Sequence, residues 1–246
     1  MERNCKNLLK NQWAKKLFLC VGLDSDLEEV RKQIPQERIE SDAEAVAVFN
    51  RKIIEATSEY ACAYKINTAF YEKFRYGFDL SIPLTMGHCH SIAPNAAVII
   101  DGKRGDIGNS MKGYVEMVLR LGGDALTCPV GMGEESLFPL LSQTKLCAFA
   151  LCRTSNPGAK DFQERLTFVC EYELIALFQQ NSSLNSLNLD DLSEVAQQFQ
   201  WQKIQAGSNW GYLLPAYQLI ALKIKAWNSS MITRSSHAKN AALAEP

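Results

Sequence analysis

Residues 96–106 read Ala-Ala-Val-Ile-Ile-Asp-Gly-Lys-Arg-Gly-Asp and join an apolar run to a group of charged side chains. The run Ala96–Ile100 has the length and the β-branched content of a buried strand. Asp101 and Lys103 stand two residues apart at its end, so an extended backbone points their side chains to the same side. The segment therefore predicts a strand that delivers a carboxylate and an ammonium group together to one edge of a sheet.

The same arrangement recurs along the chain on both sides of this segment. Four more short apolar runs end in polar or Gly-rich loops: residues 17–23, 61–67, 125–130 and 146–152. Amphipathic helices are predicted between them, one opened by the capping pattern Ser41-x-x-Glu44 and another closed by Gly122. Strands that alternate with helices predict βα units around a parallel sheet. In a (β/α)8 barrel, the active site lies at the carboxyl ends of such strands.

The signal weakens in the last third of the chain. Residues 179–191 are polar and predict a loop or an inserted segment, whereas 211–216 is expected to form a sixth strand followed by a helix over 217–227. Residues 228–246 are expected to be a disordered tail. About six βα units can thus be recognised in one barrel domain of residues 1–227, and the last two units of a complete barrel are missing from the pattern.

Composition excludes several classes of function. The 26 Lys and Arg balance 27 Asp and Glu, so no basic face is expected for nucleic acid or a membrane surface. The three His form no zinc-type pair with Cys, so no metal site is expected. The eight Cys are scattered through apolar runs as reduced thiols would be, and no apolar stretch has membrane-spanning length. These features predict a cytoplasmic protein.

Charged residues mark the ends of three successive predicted strands. Asp24 follows the first strand, Lys65 lies at the end of the second, and Asp101 with Lys103 ends the third, while Asp106 comes just before a helix. One D-x-K-x-x-D segment alone is most simply a solvated strand end. Recurrence on neighbouring strands favours a functional array, because opposite charges gathered at one edge shift each other's protonation and can stabilise charge that develops during a reaction.

Four segments in this order resemble orotidine 5′-phosphate decarboxylase, in the subgroup with K-x-N and T-S-N-P-G-A motifs. They are residues 21–26, 64–72, 101–110 and 153–159. The resemblance covers about residues 17–163, with a weaker echo over 194–227. It implies a (β/α)8 barrel that decarboxylates orotidine 5′-phosphate to uridine 5′-phosphate in pyrimidine biosynthesis, with neither metal nor cofactor.

The resemblance also implies roles for individual residues. The charged catalytic tetrad would be Lys65, Asp101, Lys103 and Asp106, with Lys103 as proton donor. The substrate-binding residues would be Asp24, Asn67, Ser110 and Ser155, with Asp24 and Ser110 on the ribose and Ser155 on the pyrimidine. Asp106 and Ser110 would reach across the interface of a homodimer.

The sequence departs from the family where members bind the 5′-phosphate. Neither the late Pro-Gly-rich loop nor the Arg near the last strand is found, and Met231 stands where that Arg would be. Two other functions therefore stay open. One is metal-dependent decarboxylation of a sugar-acid phosphate by the same barrel type, and the other is a catalytically impaired remnant. A fragment of a fusion with a phosphoribosyltransferase is a further alternative.

Overall fold

The protein's structure, a computed structural model, describes residues 3–34, 39, 41–180, 188–234 and 242–243. The strands are β1 (Leu19–Gly22), β2 (Ala61–Asn67), β3 (Ala97–Asp101), β4 (Ala125–Pro129), β5 (Cys147–Leu151), β6 (Leu166–Cys170), β7 (Gln202–Ala206), β8 (Asn209–Pro215) and β9 (Ala242–Leu243). The helices are α1 (Cys5–Ala14), α2 (Leu27–Gln33), α3 (Asp42–Thr57), α4 (Ala69–Glu72), α5 (Ile82–Ile92), α6 (Gly108–Leu121), α7 (Glu134–Leu141), α8 (Ala159–Phe162), α9 (Glu171–Gln179), α10 (Leu189–Gln198) and α11 (Ala216–Arg234). One π-helical turn, Gly77–Ser81, leads into α5.

A parallel sheet in the order β1-β2-β3-β4-β5-β9 forms the larger part of the molecule. The predicted strands over 61–67 and 125–130 match β2 and β4 to within a residue. The predicted helix starts and stops are also confirmed: Ser41 accepts a hydrogen bond from the Glu44 backbone N–H, and Gly122 ends α6 with φ of 77°. The sheet and its helices form a partial βα barrel.

The two faces of this sheet have different roles. Side chains such as Tyr64, Ile100 and Leu126 point outward into the main core, which the helices cover. At the amino ends of the strands, α1 closes the inner face, where Cys5 and Leu9 pack in a second apolar cluster. Period-two alternation then leaves the inner face at the carboxyl ends for polar side chains.

The prediction that residues 211–216 form the sixth barrel strand is wrong. Residues 211–215 belong to β8, which pairs antiparallel with β6 and β7 in a separate sheet of order β6-β8-β7, and Ala216 begins α11. A tight turn at 207–208 joins β7 to β8, and closing so short a loop costs little entropy compared with reaching a distant sheet edge. Trp201 and Leu214 pack in this sheet's own core with residues of α9 and α10.

The sixth position of the parallel sheet is taken instead by β9, which pairs with β5. Helix α11, which contacts α7, connects the small sheet to the region of β9. The expected disorder over 228–246 is therefore wrong for residues 228–234, in α11, and for 242–243. The expected polar insertion over 179–191 includes residues 181–187, which lie outside the described part, while its two ends belong to α9 and α10.

Within the described residues, the parallel sheet does not close. β1 pairs on one side with β2 and has no strand on its other side. Phe18 and Leu19, which are apolar, are 68% and 49% exposed at this edge. Among the described residues, no helix combines the length and the apolar character that crossing a membrane requires.

Candidate active site

Four of the charged residues come together at the carboxyl edge of β1, β2 and β3. Lys65 Nζ donates to both carboxylate oxygens of Asp24, at 3.0 and 3.2 Å, and to Asp101 Oδ2 at 3.2 Å. Lys103 Nζ donates to Asp101 Oδ1 at 2.7 Å. The four side chains form an alternating chain of charges, Asp24–Lys65–Asp101–Lys103, called the charged array below.

Burial is uneven along the charged array. The Asp101 side chain is only 9% exposed, whereas those of Lys65, Asp24 and Lys103 are 30%, 38% and 51% exposed. Asp101 is thus the fixed centre, and the Lys103 ammonium group lies at the open side, where a bound molecule could reach it.

The array keeps its central groups charged. Desolvation by burial raises the pKa of Asp101, but hydrogen bonds from Lys103 and Thr127 and the charge and hydrogen bond of Lys65 outweigh it, so the pKa is lowered overall. For Lys65, desolvation lowers the pKa, but Asp24 and then Asp101 outweigh it, so the pKa is raised. At neutral pH the carboxylate and the ammonium group therefore both stay ionised.

The backbone at Lys103 is strained. Lys103 adopts φ of 46°, a left-handed conformation that costs a residue with a Cβ about 1–2 kcal/mol. Two hydrogen bonds hold it there: the Lys103 N–H donates to Thr127 Oγ1 at 2.9 Å, and the Arg104 N–H donates to the Thr127 carbonyl at 3.1 Å. Gly105 then passes so near Pro129 that a Cβ would lie 2.7 Å from its ring. Strained backbone of this kind is typical of functional sites.

Asp106 and Ser110 lie apart from the charged array in this chain. Asp106 Oδ1 accepts a hydrogen bond from the Ile107 backbone N–H at 2.7 Å, and among the described residues no ion pair joins it to Lys103. Ser110 is exposed on the first turn of α6. The prediction that both residues act from a second copy of the chain is untested by one chain.

Asn67 and Ser155 take no part in the hydrogen bonds that form the array. Asn67 is paired in register with Asp101, and its Oδ1 accepts from the Ala69 N–H at 3.2 Å at the start of α4. Ser155 is exposed in the loop after β5, where the Thr154 N–H donates to Gln163 Oε1 at 2.6 Å. Their assignment to substrate binding stays a prediction.

Two features of the site were missed by sequence reasoning. The first is Thr127. The alternation of side chains along β4 predicts that it lies on the inner face of the sheet, but a single hydroxyl belongs to no recognisable motif. The second is a buried network behind Asp24: Tyr71 OH donates to the Leu23 carbonyl at 2.7 Å and accepts from Asn50 Nδ2 at 2.8 Å. Tyr71 stands in an aromatic run that sequence alone interprets as helix packing, so its hydroxyl gave no signal.

Among the described residues, no group of three or more His, Cys, Asp or Glu side chains has an arrangement that could hold a metal ion. The carboxylates of the array are already engaged, since Asp101 Oδ1 accepts from Lys103 and Thr127 while its Oδ2 accepts from Lys65. The arrangement therefore offers two ammonium groups, each paired with a carboxylate, that can bind anions and transfer protons.

Comparison with known proteins identifies the family. The model of the orotidine 5′-phosphate decarboxylase / HUMPS family matches residues 18–207. The chain belongs to this family. Curated orotidine 5′-phosphate decarboxylases from Herpetosiphon aurantiacus and Porphyromonas gingivalis are 42% and 40% identical over 149 and 159 residues, which are 60% and 64% of this chain and 53% and 56% of theirs. The chain thus spans about half the length of the curated relatives it matches.

Solved structures agree with the fold. The OMP decarboxylase of Leishmania donovani superposes with a TM-score of 0.57 and 29% identity, covering 74% of this chain and 67% of that one. The orotidine 5′-monophosphate decarboxylase of Plasmodium berghei, at 19% identity, gives a TM-score of 0.63 over 97% of this chain and 74% of that one, a likeness in fold alone.

Proposed function

We propose that the chain decarboxylates orotidine 5′-phosphate to uridine 5′-phosphate in de novo pyrimidine biosynthesis. The observation that carries the proposal is the charged array at the carboxyl edge of a parallel βα sheet. Membership of the family and the names of the similar relatives support it. Its catalytic unit is the partial βα barrel that carries the array, and not one barrel over all of residues 1–227, because β6, β7 and β8 form a separate sheet. Its eight free cysteines suit the reducing cytoplasm.

The chemical difficulty of this reaction is a carbanion at C6 of the pyrimidine. The bond from C6 to the carboxylate breaks, carbon dioxide leaves, and the electron pair stays on C6. The Lys103 ammonium group then donates a proton to C6, forming the C6–H bond of the product, and regains a proton from water. A fixed ammonium group stabilises charge that develops at C6 without further reorganisation, and such preorganised electrostatic stabilisation is usually the largest single contribution to catalysis.

Asp101 would hold the Lys103 ammonium group aimed at C6, because its own carboxylate is fixed by donors from β2, β4 and Lys103. It would also lie beside the substrate carboxylate that leaves. Lys65 ties Asp101 to Asp24, which would accept hydrogen bonds from the ribose. Asn67 and Ser155 would complete the substrate contacts, with Ser155 approaching the pyrimidine from the loop after β5.

The proposed enzyme is a homodimer in which Asp106 and Ser110 complete the partner's site. Support comes from their separation from the array in one chain and from Ile107, an apolar side chain between them that is 65% exposed. Mixing Lys103→Ala chains with Asp106→Asn chains tests this arrangement. If Asp106 acts across the interface, each mixed dimer contains one site with both residues intact, and activity returns. If both residues act within one chain, the mixture stays as inactive as its components.

A catalytically impaired remnant is the second candidate function, favoured by the free edge of β1. Asp24 lies two residues beyond this strand, so an edge strand without a second neighbour would hold it less firmly. Contacts to the remote phosphate supply binding energy that an enzyme applies at the transition state, and weakened contacts would lower both affinity and turnover.

Incubation of the purified chain with orotidine 5′-phosphate tests the proposed activity. Carbon dioxide and uridine 5′-phosphate should form in equal amounts, at a rate that EDTA does not change, because both oxygens of Asp101 are held by ammonium and hydroxyl donors. Activity that EDTA abolishes and Mg²⁺ restores, on a sugar-acid phosphate, would favour the metal-dependent alternative. No product at any enzyme concentration would favour the remnant.

A further inference from the structure

Thr127 stands where the hydrogen-bonded pairing of β3 with β4 ends. The two strands are in register at Ile99 with Ala125 and at Ile100 with Leu126. One step further on, β3 reaches Asp101 and then leaves the sheet in the left-handed turn at Lys103. From this point the Thr127 side chain joins the two segments, together with one backbone hydrogen bond from the Arg104 N–H to the Thr127 carbonyl.

The Thr127 hydroxyl makes two hydrogen bonds of opposite sense. It donates to Asp101 Oδ1 at 2.8 Å and accepts from the Lys103 backbone N–H at 2.9 Å. A hydroxyl has one donor and two acceptor sites, so both bonds can form at once. Thr127 itself is only 7% exposed, and its neighbours on the strand are buried.

We infer that Thr127 is a positioning residue of the charged array: its one hydroxyl fixes both the carboxylate of Asp101 and the strained backbone from which the Lys103 ammonium group reaches that carboxylate. It acts through these two residues and needs no contact with substrate. Without the hydroxyl, Asp101 keeps Lys65 and Lys103 as partners, but the Lys103 N–H loses its acceptor and the left-handed turn loses one of its two tethers.

The inference rests on the proposed function, but its geometric content can be measured without turnover. Thr127→Val keeps the branched shape and removes the hydroxyl, whereas Thr127→Ser keeps the hydroxyl and removes a methyl group. A positioning role predicts that the Ser variant behaves like the wild type and the Val variant does not. A packing role predicts the reverse order, because Val fills the same space in a strand and Ser leaves a small void.

Carbon-13 NMR titration of the Asp101 carboxyl group in the full chain gives the deciding readout. Around this group lie Lys65 from β2, Lys103 from its own segment and, beyond Lys65, Asp24. Since the Thr127 hydrogen bond lowers the pKa of Asp101, the Val variant should titrate at a higher pH than the wild type, and the Ser variant close to it. An unchanged titration in the Val variant overturns the inference.

Steady-state kinetics then separate this inference from the proposed function. If the wild type decarboxylates orotidine 5′-phosphate, the Val variant should lose about 10- to 100-fold in kcat, with a smaller change in KM, and the Ser variant should stay near the wild type. Equal kcat values in the Val variant and the wild type refute the positioning role of Thr127 and leave the proposed function untouched. A wild type without activity refutes the proposed function, and the NMR titration still decides the role of Thr127. Should the Val variant fail to fold, Thr127→Cys replaces it, because a thiol is larger than the Ser hydroxyl and fills part of the space of the Thr methyl group, but is only a weak donor and acceptor.

Discussion

Replacing Lys103 by Gly and by Ala should reverse the usual order of stability of these two residues. Both variants lose the ion pair with Asp101, so the difference between them isolates the backbone at φ of 46°. Ala keeps a Cβ and the left-handed strain of about 1–2 kcal/mol, from which Gly is free. Gly loses about 0.5–1 kcal/mol relative to Ala through its greater unfolded-state entropy. The Gly variant should therefore be more stable by about 0.5–1 kcal/mol.

Urea unfolding followed by circular dichroism measures this difference as a change of midpoint at constant slope. Lys112, exposed on α6, provides the matched control. There the Gly variant should be less stable than the Ala variant by about 1 kcal/mol, the ordinary helix penalty. If Gly is also the less stable choice at position 103, the backbone there is relaxed, and the reasoning that the fold stores strain at this lysine is refuted.

Three further perturbations test the surroundings of the array. Asp101→Asn should lower the free energy of unfolding at neutral pH. Because folding lowers the pKa of Asp101 from 3.8, the difference in unfolding free energy between wild type and variant should narrow as the pH falls below that value. A difference that stays constant down to pH 2 would contradict the lowered pKa. Tyr71→Phe removes the hydrogen bonds to Leu23 and Asn50 at a fully buried site and should lower the free energy of unfolding in urea by about 1–3 kcal/mol. The control Tyr60→Phe, at an exposed site, should lower it by less than about 0.5 kcal/mol. Equal losses would show that the buried network contributes nothing to stability. A version of the chain that carries an added strand paired with the free edge of β1 should gain about tenfold in kcat/KM, because a second neighbour would hold the Asp24 segment more firmly; equal values in both chains would rule out the open edge as a defect.

Sequence alone predicted the parallel half of the fold well, because period-two and period-3.6 patterns are local. The strand over 61–67 and the helix caps at Ser41 and Gly122 were confirmed at those positions. The segment over 211–216 was recognised as a strand but assigned to the wrong sheet, since apolar content does not tell which edge a strand will join. The short turn before it was the available signal for local antiparallel pairing.

The site was predictable where charge marks a strand end. Asp24, Lys65, Asp101 and Lys103 met as expected because the carboxyl ends of parallel strands share one edge. Thr127 was not predicted, since a single hydroxyl in an apolar run looks like an ordinary strand residue until its neighbours are known.

The most direct test of the account is the rate at which Lys103→Ala releases carbon dioxide from carboxyl-labelled orotidine 5′-phosphate, compared with the wild type. Lys10→Ala, on α1 at the opposite end of the sheet, is the control, and circular dichroism confirms that all three proteins are folded. The account predicts that the control keeps the wild-type rate and that Lys103→Ala loses at least about 100-fold, the contribution of a positioned proton donor. A folded Lys103→Ala protein that matches the wild-type rate would contradict it.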